Sequence, residues 1–390
     1  MKNRRKKKQL KRILAVLITA VLLAGLCACA GKTAENSSSA AENGASAKAQ
    51  PSTANADDKG SKLLEQYHFS GVVSISKGND TWTYAAGVAD TATGSKITAD
   101  SQFCVGSVAK QFTATAILQL QEQGKLKVTD TLGTYFPDCV YGDKVTLHHM
   151  LCMRSGIAEF YDVEEADGCL NELPTGELRA TVTNENTAEQ NRALLQDWLL
   201  RQPLVFAPDS MYDYTNSNYF LLAQLVEKVS GESYEDYVRA HLLQPLGMND
   251  TGFIDELADS PRLAKSPHSP TTVYVGITRG LGDLVSTAAD MDKWLCAYAD
   301  NSLLDADSME AMTADYCIPA DDTAYGYGVV PDGSGGIYHT GIFTSYSALT
   351  YTVPSQGYRF FAVSNDQLAL PVPFGTICQQ LLSEDYEPVN

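Results

Sequence analysis

Apolar and polar residues alternate in two short stretches just after residue 70. Gly71-Val72-Val73-Ser74-Ile75-Ser76 and Thr81-Trp82-Thr83-Tyr84-Ala85-Ala86 are rich in β-branched and aromatic side chains, and Lys77-Gly78-Asn79-Asp80 between them supplies turn chemistry. The pattern predicts a β-hairpin. From Ser107 to Gln123 the apolar spacing changes to three and four, with Phe112, Ala116, Ile117 and Leu120 on one side, so a helix is predicted, stopped at Gly124. Further helices are predicted over 188–201, where Leu194, Leu195, Trp198 and Leu199 cluster, and over 216–230, 233–244, 287–299 and 374–384. Late strands are predicted over 325–331, 336–340, 345–353 and 358–364. Strands, then a long helical middle, then strands again imply one sheet closed by both ends of the chain, with a helical subdomain over roughly 112–280 beside it.

The first sixty residues follow none of these periods. Met1–Arg12 is strongly basic, and Ile13–Leu26 is an apolar run interrupted only by Thr19 and Gly25. Fourteen residues suit a secretory signal better than a spanning helix, which needs about 20. The run ends in Leu26-Cys27-Ala28-Cys29, which resembles a bacterial lipobox, with Cys29 in the position that receives lipid. Cys27 fits less well because a bulky Leu precedes it, and an uncleaved anchor helix is the other reading. Residues 1–28 are thus expected to be a lipoprotein signal peptide. Residues 29–60, rich in Ala, Ser, Asn, Lys and Gly, cannot bury enough surface to offset their ordering entropy and are expected to be a flexible tether. The folded domain is expected over 61–390, held at the extracytoplasmic face of a bacterial membrane.

Composition narrows the class. Of the 390 residues 44% are hydrophobic and 19% charged, which excludes disorder throughout, and the formal net charge is −18. Eight of the 29 Lys and Arg residues lie within positions 1–12, so the remainder is more acidic still and unsuited to nucleic-acid phosphates. Beyond Cys27 and Cys29 the cysteines are 104, 139, 152, 169, 296, 317 and 378, an odd number without CxxC or Cys/His metal spacing, most of them expected to be buried and small. HExxH, a Walker loop, a dinucleotide fingerprint and GxSxG are all absent, so no metal and no cofactor is expected. The adjacent His148 and His149 suit neither a helical nor a strand ligand pair and are expected to be one surface and one core histidine.

Two SxxK patterns remain, Ser74-Ile75-Ser76-Lys77 and Ser107-Val108-Ala109-Lys110. In a strand, residues i and i+3 point to opposite faces, so Lys77 cannot reach Ser74. On a helix they are neighbours, so Lys110 can sit against the Ser107 hydroxyl, at a helix start whose free N–H groups favour a developing anion. An N-capping serine beside a solvated lysine would look the same from Ser107-Val108-Ala109-Lys110 alone. Tyr214-Thr215-Asn216 follows at a loop-to-helix junction, and His339-Thr340-Gly341 falls at the end of a predicted strand.

SxxK, YxN and HTG in this order resemble the serine β-lactamase and penicillin-binding-protein superfamily, in its class C-like branch. The resemblance extends to Phe69-Ser70-Gly71-Val72-Val73, Phe103-Cys104-Val105-Gly106-Ser107, Leu151-Cys152-Met153-Arg154-Ser155-Gly156-Ile157, Gln244-Pro245-Leu246-Gly247-Met248 and Gly282-Asp283-Leu284-Val285-Ser286-Thr287-Ala288, over roughly residues 62–385. It implies an α/β (α+β) fold, an antiparallel sheet flanked by helices with an all-helical insertion. It also implies that Ser107 attacks a carbonyl to form an acyl-enzyme, with Lys110 and Tyr214 sharing the base work and Tyr214 serving the leaving group. The N–H groups of Ser107 and Ile342 would form the oxyanion hole. Asn216 would hold the substrate amide, and His339, Thr340 and Gly341 would line the carboxylate side. If His339 met a substrate carboxylate as a cation, that attraction would fade as pH rises past its ordinary pKa of about 6.5.

Two departures bear on substrate. Ile342-Phe343-Thr344-Ser345-Tyr346 is bulkier than the family's usual GGTPGF, and residues 160–187 are long and acidic, either a solvated loop or a lid. Both count against efficient β-lactamase activity. The expected partner is a cell-wall peptide or a small acyl substrate, and the expected activity D,D-carboxypeptidase or D-amino-acid peptidase. An esterase or β-lactamase on the same scaffold, or a wall-binding module without turnover, are the other readings.

Overall fold

The computed structural model describes residues 59–166, 169–267, 276–318 and 324–366. The signal segment, Cys29, nearly all of the tether and the helix expected over 374–384 lie outside the described residues. The chain enters through α1 (Lys59–Gln66) and then forms the expected hairpin, β1 (Gly71–Lys77) and β2 (Asp80–Ala86). A small ribbon, β3 (Val88–Asp90) and β4 (Ser95–Lys96), leads to β5 (Phe103–Cys104) and then to α2 (Lys110–Glu122). The middle of the chain contributes α3 (Leu147–Leu151), the hairpin β6 (Tyr161–Ala166) and β7 (Cys169–Pro174), α4 (Ala188–Arg201), α5 (Asn216–Ser230) and α6 (Tyr234–Val238). Next come β8 (Gly252–Phe253), β9 (Leu284–Ser286), α7 (Ala288–Asp300) and α8 (Ala306–Thr313), then β10 (Val330–Pro331), β11 (Ile337–Phe343), β12 (Tyr346–Val353) and β13 (Tyr358–Ser364). The acidic stretch after residue 160 therefore folds back as a β-hairpin and is not the continuous loop that composition suggests.

The main sheet has six strands in the order β10-β11-β12-β13-β1-β2. Its pairings are antiparallel, and the first and last strands among the described residues meet inside it, Gly71 opposite Ser364 and Lys77 opposite Tyr358. As an interior strand, β1 is buried along both faces. Val73 and Ile75 join Leu64 of α1 with Leu349, Tyr351 and Phe360 in one apolar layer, while Val72 faces the larger core on the other side. Polar Ser74 and Ser76 are tolerated there because their hydroxyls pair across the hairpin with Thr83 (3.3 Å) and Thr81 (2.8 Å). Lys77 stays exposed over the Tyr358 ring, so the first SxxK is a strand pattern without contact between its serine and lysine.

α2 lies against the opposite face and is buried nearly all round, polar residues included. The one-sided pattern expected for it is thus too narrow: this is a central helix, not a surface one. Phe112 stacks on Trp294 of α7 at 3.7 Å between ring centroids, a contact contributing about 0.5–1.5 kcal/mol beyond area burial. Gln111 ties three elements together, accepting from Trp294 Nε1 (2.8 Å) and donating to Thr350 of β12 (3.0 Å).

Three local expectations differ from the structure. The stretch 325–331 is a strand only at Val330–Pro331, and the strand expected over 336–340 runs from Ile337 to Phe343, which places the HTG triplet inside it. His148 and His149 are both half-buried, not one surface and one core. His148 Nδ1 lies 2.6 Å from the Tyr327 hydroxyl, while His149 completes a capping box with Thr146 at the start of α3. Of the cysteines described with side chains, 104, 139 and 152 are buried and 296 and 317 half-buried, in line with the expectation that most are buried. Among the described residues no helix is long and apolar enough to cross a membrane.

Candidate active site

Ser107 stands in a single 3₁₀ turn, Gly106–Ala109, wedged between the end of β5 and the start of α2. The expected helix thus begins with a tighter turn, and this turn sits directly against β11. Two glycines permit the approach. Gly106 has φ +56, and a Cβ there would lie 2.7 Å from Ile342 N and 2.8 Å from Ile342 C. At Gly341 a Cβ would overlap the carbonyl oxygen of Val105. No other residue type fits either place without separating turn from strand.

The register of β11 decides what its edge presents. β11 and β12 are joined by the two-residue loop Thr344-Ser345, so the closing pair Phe343–Tyr346 exchanges hydrogen bonds and alternate pairs do not. The N–H and C=O of Ile342 and Thr340 therefore point away from β12. β10 covers that edge only as far as Tyr338, and beyond it the edge faces the Ser107 turn. The N–H of Ile342 is thus directed toward the Ser107 turn, the side on which an oxyanion hole would need it. The Ile342 side chain, 37% exposed, lies on the opposite side of the strand from Gly341 and leaves this edge free.

Lys110, one helical turn on, is fully buried. Its Nζ lies 3.1 Å from Ser107 Oγ, 2.8 Å from Asn216 Oδ1 and 2.8 Å from the carbonyl oxygen of Leu281. Two fixed acceptors thus hold two of its N–H groups, and the remaining tetrahedral direction, N–H or lone pair, faces the serine. Asn216 is delivered by the N-terminus of α5, where Thr215 caps the helix through Ser217 N. Tyr214 precedes that cap, and its ring centroid is 5.0 Å from Lys110 Nζ. The three triplets, far apart in sequence, therefore converge on one point.

His339 is close by, 6.3 Å from Tyr214 between ring centroids, but its chemistry departs from expectation. Nδ1 lies 2.6 Å from the carbonyl oxygen of Thr340 and must carry the hydrogen, so Nε2 accepts from the Tyr325 hydroxyl at 3.0 Å. Burial, then the charge of Lys110, pushes its pKa down to about 3, against the weaker pull of the Thr340 carbonyl. His339 is a buried neutral imidazole, and the expected cationic contact for a carboxylate is not what it supplies. Thr340 is half-buried on the same strand.

Residue patterns alone miss three contributors. Leu281 acts through its backbone carbonyl, Tyr325 was assigned to a strand, and Glu159 sits one residue before the acidic stretch. Glu159 Oε2 accepts from Asn216 N (2.7 Å) and Asn216 Nδ2 (3.3 Å), and Oε1 from the N–H groups of Phe160 (2.9 Å) and Tyr161 (3.1 Å). An acid between Ala158 and Phe160, directly after the Ser155-Gly156-Ile157 turn, is the signal that could have found it. Among the described residues no cluster of His, Cys, Asp and Glu is arranged to hold a metal ion.

Comparison with known proteins agrees with this geometry. A Bacillus subtilis protein named as penicillin-binding protein PbpX is 32% identical over 291 residues, which cover 72% of this chain and 66% of the relative. Esterase EstB of Burkholderia gladioli is 30% identical over 218 residues, 53% of this chain and 52% of the esterase. The chain thus spans just under two thirds of the first relative's length and about half of the second's. The octameric penicillin-binding protein homologue from Pyrococcus abyssi superposes with a TM-score of 0.67 at 26% identity, over 82% of this chain and 75% of that one. The sequence profile of the β-lactamase family matches residues 56–373, and with the six-stranded antiparallel sheet, the buried SxxK lysine and the facing HTG strand, it shows that this chain belongs to the β-lactamase family.

Proposed function

We propose that the protein is a serine hydrolase that works through an acyl-enzyme on Ser107. The observation that carries this reading is the buried Lys110 ammonium nitrogen 3.1 Å from Ser107 Oγ, anchored on its other sides by Asn216 and Leu281. A neutral Lys110 keeps its two anchored N–H groups and aims its lone pair at the serine hydroxyl, which a free serine near neutral pH needs. The proton taken from Ser107 passes by way of Lys110 and Tyr214 to the leaving group, and Tyr214 then serves the hydrolytic water. The N–H groups of Ser107 and Ile342 receive the developing oxyanion, and Asn216 Nδ2 and the edge of β11 at Thr340–Ile342 hold the acyl donor.

The preferred substrates are D-amino-acid peptides of the cell wall, cleaved as by a D,D-carboxypeptidase. Support comes from the similarity to proteins named as penicillin-binding proteins. The protein is further proposed to be a lipoprotein, anchored through Cys29 outside the cytoplasm, where a tether keeps it near such peptides at high effective concentration. A second reading, an esterase, is favoured by the neutral, doubly engaged His339, which gives a free carboxylate no cation, and by the similarity to EstB. Steady-state hydrolysis of a peptide ending in D-Ala-D-Ala against a p-nitrophenyl ester decides between them. Peptide turnover with a higher kcat/KM supports the peptidase, and ester turnover without peptide release supports the esterase. Cys29→Ala tests the anchor: an uncleaved precursor or a released soluble form is expected, and unchanged mass with full membrane retention would contradict lipidation.

A further inference from the structure

The buried lysine poses a charge problem. Lys110 is fully buried, and Ser107, Asn216 and Leu281 offer it neutral acceptors. A desolvated ammonium is costly without a negative charge nearby. Around it stand Tyr214 and Tyr219, with ring centroids 5.0 and 5.8 Å from Nζ, and the neutral His339. An acid acting on this group is Glu159, on the far side of Asn216, whose charge interacts with that of Lys110. We propose that Glu159 is a positioning residue for the acylation step: its carboxylate fixes the Asn216 amide with Oδ1 turned to Lys110, and it is a counter-charge of the buried ammonium. The proposal rests on the serine-hydrolase reading above.

The hydrogen-bond chemistry leaves one arrangement. Lys110 donates an N–H to Asn216 whether charged or neutral, so the Asn216 atom facing it is the oxygen, and the atom facing the carboxylate is the nitrogen. Glu159 receives an N–H on every contact it makes here: Phe160 N and Tyr161 N on one oxygen, Asn216 N and Nδ2 on the other. A protonated carboxyl would turn its own O–H against one of these donors, so the ionised form fits. Burial pushes Glu159 upward from the ordinary carboxylate range, and the backbone donors and Lys110 oppose that push. Segment 158–160 is itself pinned to α5, because Ser217 Oγ donates to the Ala158 carbonyl at 2.6 Å. One hydrogen of Asn216 Nδ2 is taken by Glu159, which leaves the other to point at substrate.

Glutamine and aspartate at this position separate shape from charge. Glu159→Gln keeps the shape, removes the charge and places an NH₂ against two N–H donors, whichever oxygen it replaces. Glu159→Asp keeps the charge with a shorter reach. The Lys110 titration is read from the ¹³Cε resonance of labelled lysine, assigned by its disappearance in Lys110→Arg, in variants whose far-UV circular dichroism matches wild type. A carboxylate favours the charged lysine, so its removal should lower the Lys110 midpoint by at least one pH unit, a tenfold shift in the protonation equilibrium, with a much smaller change in Glu159→Asp. Ser107 acylation by a fluorophosphonate, followed by intact mass against pH, should fall about 10–100-fold in Glu159→Gln, with its acidic limb moved to lower pH. A Lys110 midpoint unchanged in folded Glu159→Gln overturns the proposal, because a helix-capping role alone would leave it unmoved. Wild-type protein that takes no label at Ser107 refutes the serine-hydrolase reading instead, and the lysine titration still decides the counter-charge.

Discussion

Gly106→Ala tests whether the contact between the serine turn and β11 builds the site. The new Cβ would meet Ile342 N, C and O at 2.7, 2.8 and 2.9 Å. Ordinary contact needs about 3.3 Å or more, so turn and strand must part by roughly half an ångström. The two N–H groups assigned to the oxyanion sit on either side of that opening. A misplacement of about 1 Å costs up to 10²-fold in rate, and loss of one oxyanion donor costs about 10²–10³-fold, so a fall of about 10–100-fold in Ser107 acylation is expected. The left-handed backbone adds its own cost, about 1–2 kcal/mol for any residue with a Cβ, and overpacking adds about 1–3 kcal/mol. Gly78→Ala is the matched control. Its φ is +60, against +56 at Gly106, but its Cβ would meet nothing within 4 Å. Thermal melts should show both variants destabilised, Gly106→Ala the more, while fluorophosphonate labelling slows in Gly106→Ala alone. Equal labelling rates in the two variants would refute the argument, because backbone strain without displacement of the oxyanion donors would then account for everything.

Lys110→Ala should reduce acylation by orders of magnitude, whereas Lys77→Ala, exposed over Tyr358, should stay within about 0.5 kcal/mol of wild-type stability and label normally. His339 makes a prediction about stability against pH. Its folded pKa, about 3, lies below its unfolded value of about 6.5, so the unfolded chain gains a proton first as pH falls. Stability from neutral His339 is fully present above pH 6.5 and is lost below it at about 1.4 kcal/mol per pH unit, or about 2 kcal/mol by pH 5. Denaturant titrations should therefore show wild type losing stability faster than His339→Gln between pH 6.5 and 5, and parallel losses would mean that His339 titrates normally.

Where local pattern and tertiary environment agree, the elements follow from sequence. The hairpin β1–β2 and the helices at 188–201, 216–230 and 287–299 lie within a residue or so of their expected bounds, since their periodicity, caps and turn residues all point one way. The stretch 325–331 shows how the pattern misleads. Tyr325, Tyr327 and Val329 alternate with Gly326 and Gly328 as a strand would, but Gly328 has φ +71 and packs against the Lys110 carbonyl, so the alternation marks a close-packed loop. Ser107 and Lys110 were separable from Ser74 and Lys77 because helix and strand geometry differ at i+3. His339 does lie beside Tyr214 but was given the wrong charge, because an imidazole's protonation depends on burial and on the charge of Lys110, neither of which adjacency in sequence reveals. Glu159 was overlooked for the same reason: its meaning comes from Asn216, 57 residues away.

The central claim is that Ser107, pressed against Lys110 on one helical face, is the nucleophile. Incubation of the intact protein with a fluorophosphonate and, separately, with benzylpenicillin, followed by intact-mass measurement and peptide mapping, tests it most directly. One adduct per chain, located on the peptide containing Ser107 and absent in Ser107→Ala, is the expected result. An adduct on Ser74 or any other serine, or an adduct that persists in Ser107→Ala, would contradict the account.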